Sequence, residues 1–333
     1  MNDSIDNLFS QFPPDIIALP DGSITLEDAS TGEYFHNRAG AFEEAWFQYV
    51  LPSNLPRLMQ RTNDIRVLDA CFGLGYNTWC FLEELLKQAP TYWPDGGSVS
   101  VWAIENDVSL LKVYPHVLSL PAFETLKLFY TPWEHNVYYQ TQISPTPKSF
   151  QILKGTRNGV RFSVTFVAMS LRWTDGDWPF LKTILPTSGD LVFHDPFSPR
   201  KMSALWTLEL FQQYFDWLKP HQSQTEPGRL LTYSSANAVR GAMIQNGFQI
   251  FQTTPLGAKT RGGLCGLASS EFSVDCETLG EGLSAFPPST LESLKGIGGI
   301  PYRDLSSDLT PEAILKARDD SQKDGLSLLN RPL

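Results

Sequence analysis

Two carboxylates and a pair of glycines carry the chemistry this chain can do. Asp69 lies in the apolar run Ile65-Arg66-Val67-Leu68-Asp69-Ala70, which leads into Cys71-Phe72-Gly73-Leu74-Gly75-Tyr76-Asn77-Thr78. Glycines let a backbone bend sharply at the carboxyl end of a strand, so a ligand can approach main-chain N–H groups without meeting a Cβ. Glu105 closes the next strand-like run, where a carboxylate can accept from the two hydroxyls of a ribose. Asp69, Phe72, Gly73, Gly75, Asn77 and Glu105 are therefore the candidate cofactor residues. A plain strand-to-helix turn would use the same two glycines, and the strand-end acid favours a ligand instead. Cys71 stands where a dinucleotide fingerprint has an earlier glycine, so an adenosyl cofactor fits better than a dinucleotide.

A second constellation is Leu191-Val192-Phe193-His194-Asp195-Pro196-Phe197-Ser198-Pro199. It delivers Asp195, Pro196 and Phe197 to the same edge of the sheet, and these are the candidate catalytic residues. A carboxylate and a prolyl carbonyl only accept hydrogen bonds, so together they can orient an amine with its lone pair aimed at an electrophile. Phe197 offers a flat face for a base. An Asp-Pro turn opening a helix would explain the same residue types. His194 falls on the opposite face by strand alternation and reads as structural.

Further candidates are substrate-facing. His36, Asn37, Glu43 and Glu44 lie where a hairpin meets a helix, and the two glutamates could equally favour the helix dipole. Tyr233 and Arg240 flank a strand end and helix start, while Lys259 and Arg261 sit in the loop before the last strand. Arg200 and Lys201 form another small basic pair.

These residues need a sheet to position them. From residue 65 onward, strand-like and helix-like segments alternate, which predicts a mainly parallel sheet of about seven strands covered on both faces. Strands are expected at 65–70, 99–105, 163–168, 190–195, 229–234, 248–254 and 264–269, the last two pairing as an antiparallel hairpin. Helices are expected at 76–88, from 107, and at 179–185, 204–218 and 236–246. Residues 121–162 read as an insertion in which Arg157-Asn158-Gly159-Val160 predicts a type I′ turn. Residues 22–26 and 32–36 suggest an N-terminal hairpin around a polar turn. The expected organisation is 1–60 for that hairpin and a helix, 61–270 for the α/β domain, and 271–333 for a C-terminal extension wrapped on the surface or partly mobile, with a charged helix at 311–320.

The bulk numbers suit such a fold: 333 residues, 42% hydrophobic and 19% charged. No window approaches the roughly 18 to 20 apolar residues of a membrane span, and the polar start has no signal-peptide pattern, so the expected compartment is the cytoplasm. Cys71, Cys80, Cys265 and Cys276 lack metal-binding spacing and read as reduced thiols, with no metal implied. A net charge of −10 argues against broad attraction to polyanions and leaves room for a local basic patch.

Several segments together resemble the methyltransferase half of the MnmC family. They are Phe35-His36-Asn37 with Gly40 and Glu43-Glu44; Leu68 to Asn77; Val192 to Pro199 with Leu205-Trp206-Thr207-Leu208-Glu209; and Leu231-Thr232-Tyr233-Ser234-Ser235-Ala236 with Val239-Arg240. The resemblance implies a Rossmann-like S-adenosylmethionine-dependent methyltransferase fold, S-adenosyl-L-methionine as cofactor, and an aminomethyl group on the wobble uridine of tRNA as acceptor. It implies a stand-alone methyltransferase without the flavin-dependent oxidase half. Cys71, Met169 and the loop 256–261 depart from the family pattern. A polyamine aminopropyltransferase-like enzyme and an inactive methyltransferase-fold binding module are the alternatives.

Overall fold

The computed structural model of the chain describes residues 16–130, 148–172, 178–220, 226–256 and 261–324. Its N-terminal hairpin pairs β1 (Ile17–Ala18) with β2 (Ile24–Thr25). The expected pairing of 22–26 with 32–36 forms no regular strand ladder; the two segments meet through the Phe35 N–H donating to Leu26 carbonyl at 3.0 Å, the His36 N–H donating to Thr25 hydroxyl at 3.2 Å and an isolated Glu27–Tyr34 bridge next to them. Asp28 is the reason: it folds the polar turn onto itself by accepting from the N–H groups of Ser30 (3.1 Å) and Thr31 (2.7 Å). Asp21 in the hairpin accepts from Phe42 N–H at 2.8 Å and so caps α1 (Ala41–Ala45). The chain continues through a π turn, Trp46–Val50, into α2 (Leu55–Arg61).

The sheet grows from β3 (Asp64–Ala70). Ile65 and Val67 pack on one face, Leu68 and Ala70 on the other, and all four are buried because helices cover both faces. A long helix, α3 (Tyr76–Tyr92), returns to β4 (Gly97–Glu105). Where a helix was expected from 107, a 3₁₀ turn, Val108–Lys112, capped by Asp107, is followed by α4 (Tyr114–Leu118). Next come β5 (Lys148–Arg157) and β6 (Val160–Ala168), joined at Asn158 (φ 50°) and Gly159 (φ 77°), the two positive φ values a type I′ turn requires. The remaining elements up to the last expected strand are α5 (Trp178–Ile184), β7 (Leu191–His194), α6 (Leu208–Leu218), β8 (Arg229–Thr232), α7 (Asn237–Gln245), β9 (Gln249–Thr253) and β10 (Leu264–Leu267). Helix α6 starts later than expected because Thr207, whose hydroxyl accepts from Leu210 N–H, caps it there.

After β10 the chain forms α8 (Cys276–Leu279), β11 (Leu283–Ala285), α9 (Pro288–Ser293) and α10 (Pro311–Lys323). The main sheet has nine strands in the order β11-β9-β10-β8-β7-β3-β4-β6-β5. The five from β8 to β6 are parallel, while β5 pairs antiparallel at one edge and β10, β9 and β11 pair antiparallel in succession at the other. The count exceeds the expected seven because β5 and β11 carry too little apolar alternation to stand out as core strands. Arg61 donates to Asp190 at 2.7 Å, and Asp190 accepts from Arg66 N–H at 2.9 Å, tying α2 to the sheet.

All four cysteines are free thiols: Cys265 is buried, Cys71 and Cys80 are half-buried, and Cys276 is exposed. Burial pushes up the thiols of Cys71, Cys80 and Cys265, the last to about 11.

Candidate active site

Successive parallel strands lead away from β3 in opposite directions, β4 on one side and β7 on the other, and a crevice opens at their carboxyl ends. A cavity of about 750 Å³ occupies it, lined by residues from the ends of β3, β4, β6 and β7 and from the N-terminal hairpin. The glycine turn forms its floor. Cys71 (φ 64°), Gly73 (φ 52°) and Gly75 (φ 81°) are all left-handed, which lets three consecutive bends fit between strand and helix. A Cβ on Gly75 would strike Trp79 and Phe72. Cys71 therefore adopts the backbone of the glycine it replaces, at some cost in strain.

Glu105 ties that turn to β4. Its carboxylate accepts from Gly73 N–H at 2.9 Å, Asn106 N–H at 2.8 Å and Asp107 N–H at 2.9 Å. Burial raises its pKa, and these three donors oppose the rise. A carboxylate offers about four acceptor sites, so Glu105 retains capacity for a ligand hydroxyl on the cavity it lines.

Asp195 lies on the same cavity beyond β7, its N–H bonded to Ala70 carbonyl at 3.1 Å. The Asn77 side-chain amide donates to it at 2.8 Å, which brings the helix start and the catalytic candidate together. Burial pushes the Asp195 carboxyl up to about 6, and the charge of Glu44 adds to that; His36 and the Asn77 amide act the other way. Pro196 and Phe197 also line the cavity, the Pro196 carbonyl accepting from Tyr233 hydroxyl at 2.9 Å and the Phe197 ring meeting Phe35 edge-on at 5.1 Å. Glu44 is buried on the cavity wall, accepting from Asn37 N–H at 2.8 Å and lying 3.7 Å from His36 Nδ1.

Other candidates stand apart from the cavity. Asp69 is fully buried behind the turn, where it accepts from Thr78 hydroxyl at 2.6 Å and anchors the first turn of α3; burial holds its carboxyl well above the usual range. Phe72 packs edge-on against Trp79 and Tyr114. Glu43 is exposed at the start of α1. Arg240 is buried, with its guanidinium 4.7 Å from the centre of the Phe286 ring. Arg261 is exposed and outside the cavity lining. Lys259 lies outside the described residues. His194 is buried on the far face, its Nδ1 3.1 Å from Tyr214 hydroxyl, and burial lowers its pKa to about 3.

Three site residues escape the sequence. Glu33 accepts from both the N–H (2.9 Å) and the hydroxyl (2.5 Å) of Ser198 and so fixes the loop after Phe197. Tyr114 donates to Gly73 carbonyl at 3.0 Å from behind the turn. Arg172 lines the cavity beyond β6. Each acts on a partner remote in sequence, and no spacing signals that.

The lining is rich in acid. Asp28, Glu33, Glu44, Glu105, Asp107 and Asp195 face only Arg38, Arg172 and Lys201, and Arg38 is engaged with Tyr34 while Arg172 pairs with Asp304. Such a field favours cationic ligands. Alongside it, Ile104, Met169 and Leu171 give the wall beside Glu105 an apolar stretch. Acceptors for a ribose, an apolar wall for a purine and a negative field for a sulfonium all suit S-adenosylmethionine. Among the described residues there is no group of three metal-binding side chains, and no helix is long and apolar enough to cross a membrane.

Fold and site together define a Rossmann-like α/β fold of the S-adenosylmethionine-dependent methyltransferase kind, with S-adenosyl-L-methionine the cofactor that the matched segment implies. Residues 138–269 match a family described as S-adenosyl-L-methionine-dependent methyltransferase. The solved structure of MnmC2 from Aquifex aeolicus superposes with a TM-score of 0.60 at 23% identity, covering 97% of this chain and 93% of that one, and so shares the fold. The uncharacterized protein MJ0670 of Methanocaldococcus jannaschii is 25% identical over 315 residues, 92% of this chain and 72% of that protein.

Proposed function

We propose that this protein N-methylates a primary amine, the aminomethyl group of a modified wobble uridine in tRNA, and works in the cytoplasm. The observation that carries the reading is Asp195, a carboxylate held by Asn77 on an acid-lined cavity beside the glycine turn. The resemblance of the segments around Asp195 to the methyltransferase half of the MnmC family supports the choice of acceptor.

When bound, S-adenosylmethionine supplies an electrophilic methyl group on a cationic sulfur. Glu105 would accept from its ribose hydroxyls, and Gly73 would let the backbone come close. The chain's remaining task concerns the amine, which is mostly protonated in water at neutral pH. Asp195 and Glu44 draw it in as an ammonium ion. Asp195, whose carboxyl is raised to about 6 and is thus a better base than an ordinary aspartate, takes one proton. It then accepts one remaining N–H while the Pro196 carbonyl accepts the other, which leaves the lone pair free to point at the methyl group. Phe197 stacks on the uracil. Arg38 and Lys201 on the cavity lining and the exposed Arg200 and Arg261 are the cations that meet tRNA phosphates, with Lys259 a further candidate from the sequence alone, and His36 and Asn37 line the approach.

Asp195→Ala should abolish methyl transfer to tRNA while calorimetric affinity for S-adenosylmethionine stays within a few-fold. A variant that still methylates at the normal rate removes Asp195 from the mechanism. Labelled-methyl assays with tRNA, followed by mass analysis of wobble nucleosides, test the acceptor; transfer to a polyamine in place of tRNA overturns it.

A further inference from the structure

In the strand order β7-β3-β4-β6, Asp195 marks the reacting end of the cavity and Glu105 lies at the end of β4. Met169 and Leu171, after β6, line the cavity alongside Glu105, and a base on a ribose held at Glu105 would lie against them. Beyond these the wall is completed from the far end of the chain. Arg172, in the loop after β6, pairs with both oxygens of Asp304 at 2.8 and 2.9 Å and donates to the carbonyls of Ser306 (3.2 Å) and Ser307 (3.3 Å). Pro311 lines the cavity, and its carbonyl accepts from Ser203 hydroxyl at 2.5 Å. The segment is fixed on its other side as well, since Tyr302 pairs with Thr207 and Glu209 accepts from Asp304 N–H at 3.0 Å.

We infer that Pro311, held at the end of a segment (302–311) locked by the Arg172–Asp304 pair, completes the base-side wall of the cofactor cavity, so that cofactor affinity depends on a carboxylate outside the cavity. Asp304 is buried behind the wall and absent from the lining, whereas Arg172 and Pro311 belong to it. Arg172 is then a positioning residue, and the pair with Asp304 sets where Leu171 and Pro311 stand. A bidentate guanidinium–carboxylate pair fixes angle as well as distance, which a lysine cannot reproduce. This rests on S-adenosylmethionine lying in the cavity with its ribose at Glu105.

Calorimetric titration of S-adenosylhomocysteine into the intact chain tests it. Asp304→Asn and Arg172→Lys should each weaken binding about tenfold or more, equivalent to about 1.4 kcal/mol. In Asp304→Asn, whose residue lies outside the cavity, the KM for tRNA and the rate at saturating S-adenosylmethionine should stay within about twofold, because the amine end is untouched. A merely structural role would lower the melting temperature and leave the affinity of the folded protein unchanged. Pro311→Trp, at a half-buried surface position, guards against misfolding of the ion-pair variants and should weaken binding to a similar degree by filling the base side of the cavity. Unchanged affinity in folded Asp304→Asn and Pro311→Trp overturns the wall. A wild-type chain giving no heat with S-adenosylhomocysteine overturns the cofactor placement instead.

Discussion

Asp195 resists ionising, and that has a cost for stability as well as a use in chemistry. Its carboxyl is raised from 3.8 to about 6 in the fold, so between those values the folded chain binds more protons than the unfolded one. Stability must then fall as pH rises through that window, and the loss persists above it. Asp195→Asn retains an acceptor for the Asn77 amide and has no charge to bury. The variant should be inactive yet more stable than wild type at pH 8, by about 1–3 kcal/mol, with the difference vanishing near pH 4. Urea melts at the two pH values check this, and equal stability at pH 8 would mean the carboxylate is better solvated than its surroundings suggest.

At the scale of elements, the C-terminal extension docks through a contact with no spare room. A Cβ at Gly241, in the middle of α7, would overlap the carbonyl of Gly299. Gly241→Ala should therefore cost about 2–4 kcal/mol even though alanine favours helix, because the turn at 297–299 must move or detach. Thermal unfolding measures the loss, and limited proteolysis near 299 shows where it falls. The elements themselves were largely legible in the chain. Alternating apolar residues announced β3 and β4, and Asn158-Gly159 announced its hairpin, because those signals are local. The edge strands β5 and β11 were not legible, since an edge strand has less apolar alternation to show. The site divided in the same way. Glu105, Gly73, Asn77 and Asp195 lie next to local strand ends and turns, whereas Glu33 reaches Ser198 and Arg172 reaches Asp304 only through the tertiary fold. Arg240 reads as substrate-facing in the sequence, and only the packing of Phe286 over it reveals that it is occupied.

Across the whole molecule, a net charge of −10 coexists with a proposed polyanionic substrate. The two are compatible where the acid is gathered inside the cavity, which attracts the amine, while Arg200 is exposed outside it and Lys201 is an exposed residue of its lining. The distribution of thiols is as uneven as that of charge. Three of the four are sheltered and raised in pKa by burial, while Cys276 is exposed at the start of α8. A neutral-pH maleimide should thus modify one position in the native protein and four after denaturation, as counted by intact mass. The wild-type chain therefore carries its own attachment point for a fluorophore, and a dye there would report on movements of the C-terminal extension without any engineered cysteine.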